Sequence, residues 1–483
     1  MRYSPLLTDL YELTMLAGYL EEGMADTSAT FDLFFRKNPF AGGYAVFAGL
    51  EPALEYLENL RFNNEELQYL RSLGIFRPRF IDYLAGFRFR GTVTAPPEGT
   101  AVFANEPLVT VEGTLAEAQF VETALLTIIN FQTLVATKAA RLRAAAAGGT
   151  ILEFGLRRAQ GPDGGLTVAR AACVGGVRET SNVLAGMVHG MKVRGTHAHS
   201  WIMAFPDELS AFRAYAEVFP DATILLVDTY DTLASGVPHA ITVARELREK
   251  GHELAGIRLD SGDLAYLSRT ARQMLDDAGF PDAKIVASNE LDEEIIESMR
   301  EEGSRVDIYG VGTKLAVCAG EGGGALGGVY KLVESGGRPR MKLTGELEKA
   351  TLPGRKRLLR ATSPDGSFIQ DVICIDGETV RPGDTVYDPA NPVRHVQIPT
   401  DARLAELRDT VMQNGSRCAT SPSLDAMADR CADQLHRLPP GCLRFINPHR
   451  YKVSISGSLN ALRLDLMAEL ERSNIIPPKG AAR

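Results

Sequence analysis

From Thr150 to Glu334 the chain repeats one arrangement: a short β-branched run ends in a polar cluster, and a helix-like stretch leads to the next run. The runs end at Glu153-Phe154-Gly155, Gly195-Thr196-His197-Ala198-His199-Ser200, Asp228-Thr229-Tyr230-Asp231, Arg258-Leu259-Asp260-Ser261-Gly262-Asp263, Ser288-Asn289-Glu290 and Gly310-Val311-Gly312-Thr313. A parallel strand is reached by a crossover, usually a helix, so the polar clusters must gather at one end of the sheet. In a β/α barrel that end holds the active site. Fewer than eight such units are visible, which predicts an irregular or incomplete barrel.

At 483 residues the chain exceeds a single hydrophobic core. The expected division is an α/β sandwich-like domain over 1–145, the irregular barrel over 146–340 and a C-terminal segment of β elements and helices over 341–483. In the first, Leu7 to Glu22 has helical periodicity with Thr8 placed to cap it and Tyr11 in the first turn. Gly91–Ala95 and Leu108–Glu112 read as strands, and Ala116 to Ala147 as one long helix stopped by Gly148-Gly149. Barrel helices are predicted over Asp207–Phe219, Thr232–Lys250, Asp263–Ala278 and Asp292–Glu302. Beyond Glu334, Lys342 to Arg360 reads as a basic loop, and Val372–Ile375 with Thr379-Val380 as a hairpin around Asp376-Gly377. Helices are predicted at Thr400–Gln413 and Ser458–Arg472, the latter capped by Ser458, and the tail Pro477–Arg483 as disordered.

A net charge of −9 argues against a partner that is nucleic acid or an anionic membrane, both of which call for excess Lys and Arg. No apolar stretch reaches the roughly 18 to 20 residues that span a bilayer. The N-terminus lacks a signal-like apolar run, and six cysteines are scattered singly, so a reduced, cytoplasmic setting is expected. Cys418, Cys431 and Cys442, with His436 nearby, lack the paired spacing of a zinc site, and no structural metal is expected.

Each strand end carries its own chemistry. In Gly310-Val311-Gly312-Thr313 the missing side chains let backbone N–H groups approach an anion. Gly327-Gly328, read as the start of a following barrel strand, would add a second such edge. Arg258 and Asp260 alternate onto one face, where a guanidinium suits a carboxylate or phosphate and a carboxylate suits sugar hydroxyls. Asp263 is at least as well explained as a helix cap, and Asp228 and Asn289 are polar acceptors or turn residues. The segment Glu153 to Gly165 combines Phe154, the paired Arg157 and Arg158, and a glycine-rich turn, suited to an acidic substrate. Arg141 and Arg143 rank lower as helix arginines. His197 and His199 lack a persuasive third metal ligand; a histidine here suits general-base or phosphoryl-accepting work.

These motifs, with Thr8-Asp9-Leu10-Tyr11, Phe34-Phe35-Arg36, Gly328-Val329-Tyr330-Lys331-Leu332-Val333 and Pro339-Arg340-Met341-Lys342-Leu343, occur together in the order seen in one family. The chain resembles the nicotinate phosphoribosyltransferases from about residue 5 into the C-terminal segment. The resemblance implies a funnel-like α/β barrel with an α/β sandwich domain, of the type II phosphoribosyltransferase kind. It implies transfer of phosphoribosyl from 5-phosphoribosyl 1-diphosphate to nicotinate, giving nicotinate mononucleotide and diphosphate for NAD salvage. ATP hydrolysis is coupled as co-substrate chemistry, with Mg²⁺, in a cytoplasmic homodimer with shared active sites. His199 matches the histidine that ATP phosphorylates; His197 does not. Thr196 and Arg258 match nicotinate contacts, and Tyr11 matches an aromatic that meets the pyridine ring, reaching it from the partner subunit. Phe154 would offer the opposing face, Arg157 a cation for phosphates, and Gly310, Gly312 and Thr313 the phosphate loop. Asp260 would take ribose hydroxyls, and Asn289 would line the same cavity. The alternatives are a nicotinamide or quinolinate phosphoribosyltransferase and a non-catalytic nucleotide-sensing barrel.

Overall fold

The computed structural model describes residues 3–343, 351–391 and 393–472. The chain divides into two compact units, one from Met1–Thr133, Ala325–Ser423 and Ala432–Arg483, the other from Leu134–Gly324 and Leu424–Cys431.

The second unit is built on one seven-stranded sheet. Across it run Lys192–Val193, Glu179–Thr180, Thr150–Glu153, Ile308–Val311, Lys284–Ser288, Gly256–Leu259 and Ile224–Leu226. All pairings are parallel. Such strands are covered on both faces, which explains why Gly256–Leu259 is buried throughout and why these runs lack polar alternation. The sheet curls into a half-barrel, as the irregular barrel predicted from sequence. The four predicted barrel helices are present at Glu208–Val218, Val237–Glu249, Leu264–Asp277 and Glu293–Glu301, with Thr232–Gly236 a π-helical turn. Asp207, Asp263 and Asp292 cap three of them by accepting the amides of Ser210, Tyr266 and Ile295 at 2.8, 2.9 and 3.0 Å. Asp263 is therefore engaged as a cap.

The two edge strands of the half-barrel are joined by side chains. Thr196 Oγ1 donates to the Ile224 carbonyl at 2.6 Å, and the Leu226 amide donates to His197 Nε2 at 3.3 Å. Buried and packed edge-on to Tyr215 with ring centroids 4.6 Å apart, His197 is held by burial down at a pKa of about 4. It is a neutral acceptor at physiological pH, with its proton left on Nδ1.

The strand beginning at Gly328 corrects the sequence reading. Gly328–Ser335 pairs antiparallel with Ser28–Phe35 in the first unit and is no barrel strand. Its Lys331 and Glu334 alternate with buried Tyr330 and Val333, a pattern that suits an antiparallel sheet with one wet face. The glycine at 328 accommodates Asn130, whose Oδ1 would lie 2.1 Å from an added Cβ.

In the first unit, Ser28–Phe35 lies between Gly328–Ser335 and Val109–Thr114, followed by Thr92–Ala95 and Asp409–Gln413, all antiparallel. A six-stranded mixed sheet contains Arg403–Glu406, Lys356–Thr362, Phe368–Ile375, Lys452–Ser456, Thr385–Tyr387 and His395–Gln397. The helix predicted at Thr400–Gln413 is instead two strands in different sheets. Between them the buried Arg408 donates from Nη1 to Pro107 O and Thr110 Oγ1, each at 2.7 Å, so tertiary pairing overrides helix propensity. The basic loop ends in a strand at Lys356. Its buried Lys356 and Arg360 pair with Asp32 at 2.9 Å and Asp371 at 2.6 Å, and charges in core positions hid the strand. The turn at Asp376-Gly377 is present, but Thr379-Val380 forms no strand; Phe368–Ile375 pairs with Lys356–Thr362 and Lys452–Ser456.

Smaller boundaries shift as well. The helix predicted over Ala116–Ala147 is two, Leu115–Phe120 and Glu122–Ala146. Asp9, not Thr8, stands at the cap position of Leu10–Glu21, with no side-chain cap bond. Ser456 rather than Ser458 caps Gly457–Arg472, its Oγ accepting the Leu459 amide at 3.2 Å. Pro477–Arg483 lies outside the described residues. Among the described residues no helix is long and apolar enough to cross a membrane, and no three His, Cys, Asp or Glu side chains converge as metal ligands.

Candidate functional site

At the C-terminal ends of four neighbouring half-barrel strands lies a cavity of about 120 Å³. Phe154 and Arg258 form its inner wall. Gly310 makes this possible, because a Cβ there would stand 2.7 Å from the Phe154 ring. The guanidinium of Arg258 sits 5.7 Å from that ring's centroid, within cation–π reach, so an aromatic ring and a cation line the cavity side by side. Arg258 is fixed by three acceptors: Ser288 Oγ at 2.8 Å from Nε, Asp260 Oδ1 at 2.9 Å from Nη2 and the His197 carbonyl at 3.5 Å from Nη1. Ser288 in turn donates to Asp260. Burial alone would raise the Asp260 carboxyl, but the Ser288 hydroxyl, Arg258 and His199 outweigh it and hold it below its ordinary value.

The outer wall is cationic. Arg157 and Arg158, in a short turn after Phe154, are exposed and pair with no carboxylate among the described residues. Gly312 and Thr313 close the opposite side with Asn289 and Glu290, and Thr313 Oγ1 donates to Glu290 Oε1 at 3.0 Å. Two unpaired arginines beside a glycine–threonine turn make an anion site.

His199 begins the short helix His199–Met203. Its Nδ1 lies 3.1 Å from Thr229 Oγ1, and its Nε2 faces Asp260 Oδ2 at 3.6 Å and Asp228 Oδ1 at 4.0 Å. Asp228 is buried. Its Oδ2 accepts from the Asp260 amide at 2.8 Å and Ser261 Oγ at 2.6 Å, while Oδ1 has no hydrogen-bond partner. Carboxylates on one ring nitrogen favour a proton there, leaving Nδ1 as the nitrogen with a lone pair.

The structure thus brings Phe154, Arg157, Arg258, Asp260, Asn289, Gly310, Gly312 and Thr313 to one cavity, with His199 against Asp260. Thr196 stands apart, its hydroxyl committed to Ile224. Arg141 is buried against Glu293 at 2.7 Å, and Arg143 donates to Gly176 O at 3.1 Å, so both are structural. Tyr11 belongs to the first unit, half-exposed on Leu10–Glu21. Thr229, Ser288 and Glu290 were not singled out as site residues from sequence, although each sits at a polar strand end; Asp228, read there as a polar acceptor or a turn residue, faces His199. A larger groove of about 210 Å³ between the helices Glu208–Val218 and Val237–Glu249 is self-neutralised, with Arg213 on Glu246, Lys250 on Glu217 and His252 on Asp221.

Solved structures share this architecture. The human nicotinic acid phosphoribosyltransferase superposes with a TM-score of 0.85 at 36% identity, covering 95% of this chain and 99% of that one. The nicotinate-nucleotide pyrophosphorylase of Pyrococcus furiosus has the same fold, with a TM-score of 0.69 at 24% identity. The half-barrel with its cationic rim thus defines a phosphoribosyltransferase. Three family profiles match in succession: the nicotinate phosphoribosyltransferase N-terminal domain at residues 6–130, the nicotinate phosphoribosyltransferase family at 150–352 and its C-terminal domain at 355–463. The nicotinate phosphoribosyltransferase of Bacillus subtilis is 43% identical, over 93% of this chain and 92% of that protein. Nicotinate phosphoribosyltransferase pncB2 of Mycobacterium tuberculosis is 41% identical, over 98% and 97%. The chain belongs to the nicotinate phosphoribosyltransferase family.

Proposed function

We propose that the chain joins nicotinate to 5-phosphoribosyl 1-diphosphate, yielding nicotinate mononucleotide and diphosphate for NAD salvage, with ATP hydrolysis coupled through His199. The observation that carries this reading is the cavity itself, where the Phe154 ring and the Arg258 guanidinium stand beside Arg157, Arg158 and the Gly310–Thr313 turn. Phe154 offers a face for a flat ring, Arg258 a partner for its carboxylate, and the outer wall takes phosphates. As the ribose C1–O bond breaks, charge develops on the leaving diphosphate, where preorganised cations lower the barrier. The pyridine nitrogen supplies the electron pair, so positioning does most of the work and no protein base is required.

The geometry of His199 supports the coupling to ATP. The Nδ1 lone pair of His199 attacks the γ-phosphorus, the bond to ADP breaks, and the positive charge gained by the ring is held by Asp228 and Asp260. Water then cleaves the N–P bond, returning the imidazole and releasing phosphate. Mg²⁺ belongs to this reading as an ion carried on substrate phosphates and water, which suits its reluctance to dehydrate and a cavity rich in arginine rather than carboxylate. When bound it supplies neutralising charge to the diphosphate. A homodimer in which Tyr11 meets the pyridine ring completes the proposal; the exposed face of Tyr11 supports it.

Diphosphate release on mixing nicotinate, phosphoribosyl diphosphate, ATP and Mg²⁺ tests the whole. A folded sample giving none with nicotinate or nicotinamide would return the chain to a sensing role. His199→Ala is expected to abolish coupled ATP hydrolysis yet leave slower ATP-independent transfer; loss of all transfer in a folded variant contradicts this division. Asp228→Asn removes the charge facing Nε2 and is expected to slow ATP hydrolysis at least about 10-fold, more than it slows ATP-independent transfer. Equal slowing of both would show that Asp228 only supports the loop.

A further inference from the structure

The strand Lys284–Ser288 does not run straight into its helix. Asn289 and Glu290 both adopt positive φ, 99° and 40°. Asparagine tolerates that region, whereas a glutamate adopts it at a cost and stays there only when its surroundings hold it. What holds Glu290 is visible: its Oε1 takes the hydrogen bond of Thr313 Oγ1. The contact places a carboxylate on the rim that also carries Arg157 and Arg158.

Thr313 has a single hydroxyl proton and cannot give it to two acceptors. A carboxylate oxygen and a phosphate oxygen compete for the same donors, and they repel each other when adjacent. An arriving phosphate must therefore remove Glu290 from Thr313 or be bound beside a like charge. We propose that Glu290 is an internal competitor, a carboxylate that occupies the anion position of the empty cavity and swings out when the diphosphate-bearing sugar enters. The inference rests on the phosphate reading of the Gly310–Thr313 turn given above. Its backbone supplies the means: once the Thr313 contact is gone, no other side-chain hydrogen bond among the described residues keeps Glu290 in the left-handed region, and relaxation carries its side chain away. The competitor weakens substrate binding and keeps the rim ordered while the cavity is empty.

The sign of the effect is unusual for a residue lining a binding site. In the full-length protein, Glu290→Gln is expected to lower the KM for phosphoribosyl diphosphate about 5- to 10-fold at saturating Mg²⁺, nicotinate and ATP. Glu290→Ala, which also frees the Thr313 hydroxyl, should lower it at least as far. Calorimetry with inorganic pyrophosphate and Mg²⁺ reads the same step without turnover and should show tightening by a similar factor. An unchanged KM, or a raised one as expected if Glu290 holds the substrate's metal ion, overturns the proposal in variants with native circular dichroism. If the unaltered protein proves inactive on nicotinate but pyrophosphate binding still tightens, the competitor stands and the assigned reaction falls. Pyrophosphate binding to neither protein overturns both.

Discussion

Arg258→Lys is expected to lower kcat/KM for nicotinate about 100-fold, a loss of about 3 kcal/mol in transition-state stabilisation. The substitution keeps the charge and discards the fork. Arg258 holds Ser288, Asp260 and the His197 carbonyl from three different nitrogens while facing the Phe154 ring. An ammonium is a single point and cannot keep those three directions together. Asp260, two positions along the strand, would lose a bidentate-capable neighbour and with it the orientation that faces His199. Steady-state kinetics on a variant with native circular dichroism decides the matter, and kcat/KM within threefold of the unaltered protein would show that charge alone suffices. The effect should fall mainly on KM for nicotinate if Arg258 binds the carboxylate equally in ground and transition states.

The second large effect is on stability. Glu12 is buried beneath Tyr11, with Gln119 Nε2 donating to it at 2.9 Å and to Glu122 at 3.0 Å. Burial, opposed by the Gln119 hydrogen bond and aided by the Glu122 charge, pushes its carboxyl from 4.5 up to about 7. The folded protein then keeps a proton that the unfolded chain releases between those two values. Raising the pH across that window favours unfolding, and above it the cost is constant. Glu12→Gln keeps an acceptor for Gln119 and removes the ionisation. Relative to the unaltered protein it should gain about 2 to 3 kcal/mol at pH 8, the lower figure allowing for solvent screening, and almost nothing at pH 4. Urea denaturation followed at both pH values would expose the difference. A gain of equal size at both would show that packing, not ionisation, is responsible.

Much of the half-barrel could be read before any coordinates, because parallel strands buried on both faces leave continuous apolar runs that end abruptly in polar residues. Phe154, Arg258, Asp260 and the Gly310–Thr313 turn were all found by that rule. The rule also overreached: Gly328 follows the last barrel strand in sequence, yet its strand pairs with Ser28–Phe35, and no local signal distinguishes the two partnerships. Lys356 and Arg360 show another limit. They are core residues satisfied by Asp32 and Asp371, so a strand whose inward positions carry charge reads as a solvated loop. Arg403 to Gln413 failed for a related reason, since its two short strands answer to partners in separate sheets and its own composition favours a helix. The role of His197 was open in the sequence because a histidine that accepts a backbone amide leaves no pattern at all.

Six backbone ladders join the seven half-barrel strands, but the seventh boundary is different in kind. Between Ile224–Leu226 and the chain leaving Lys192–Val193 the bonds run through Thr196 and His197. That boundary is a seam, stitched by side chains, and it is the line along which the barrel can widen with the fewest backbone bonds lost. His199 stands two residues beyond His197, and Arg258 is tied to the His197 carbonyl. The residues proposed to meet ATP and nicotinate are thus fastened to the most yielding line of an otherwise stiff wall, and a change at His199 reaches Arg258 across the single carbonyl of His197.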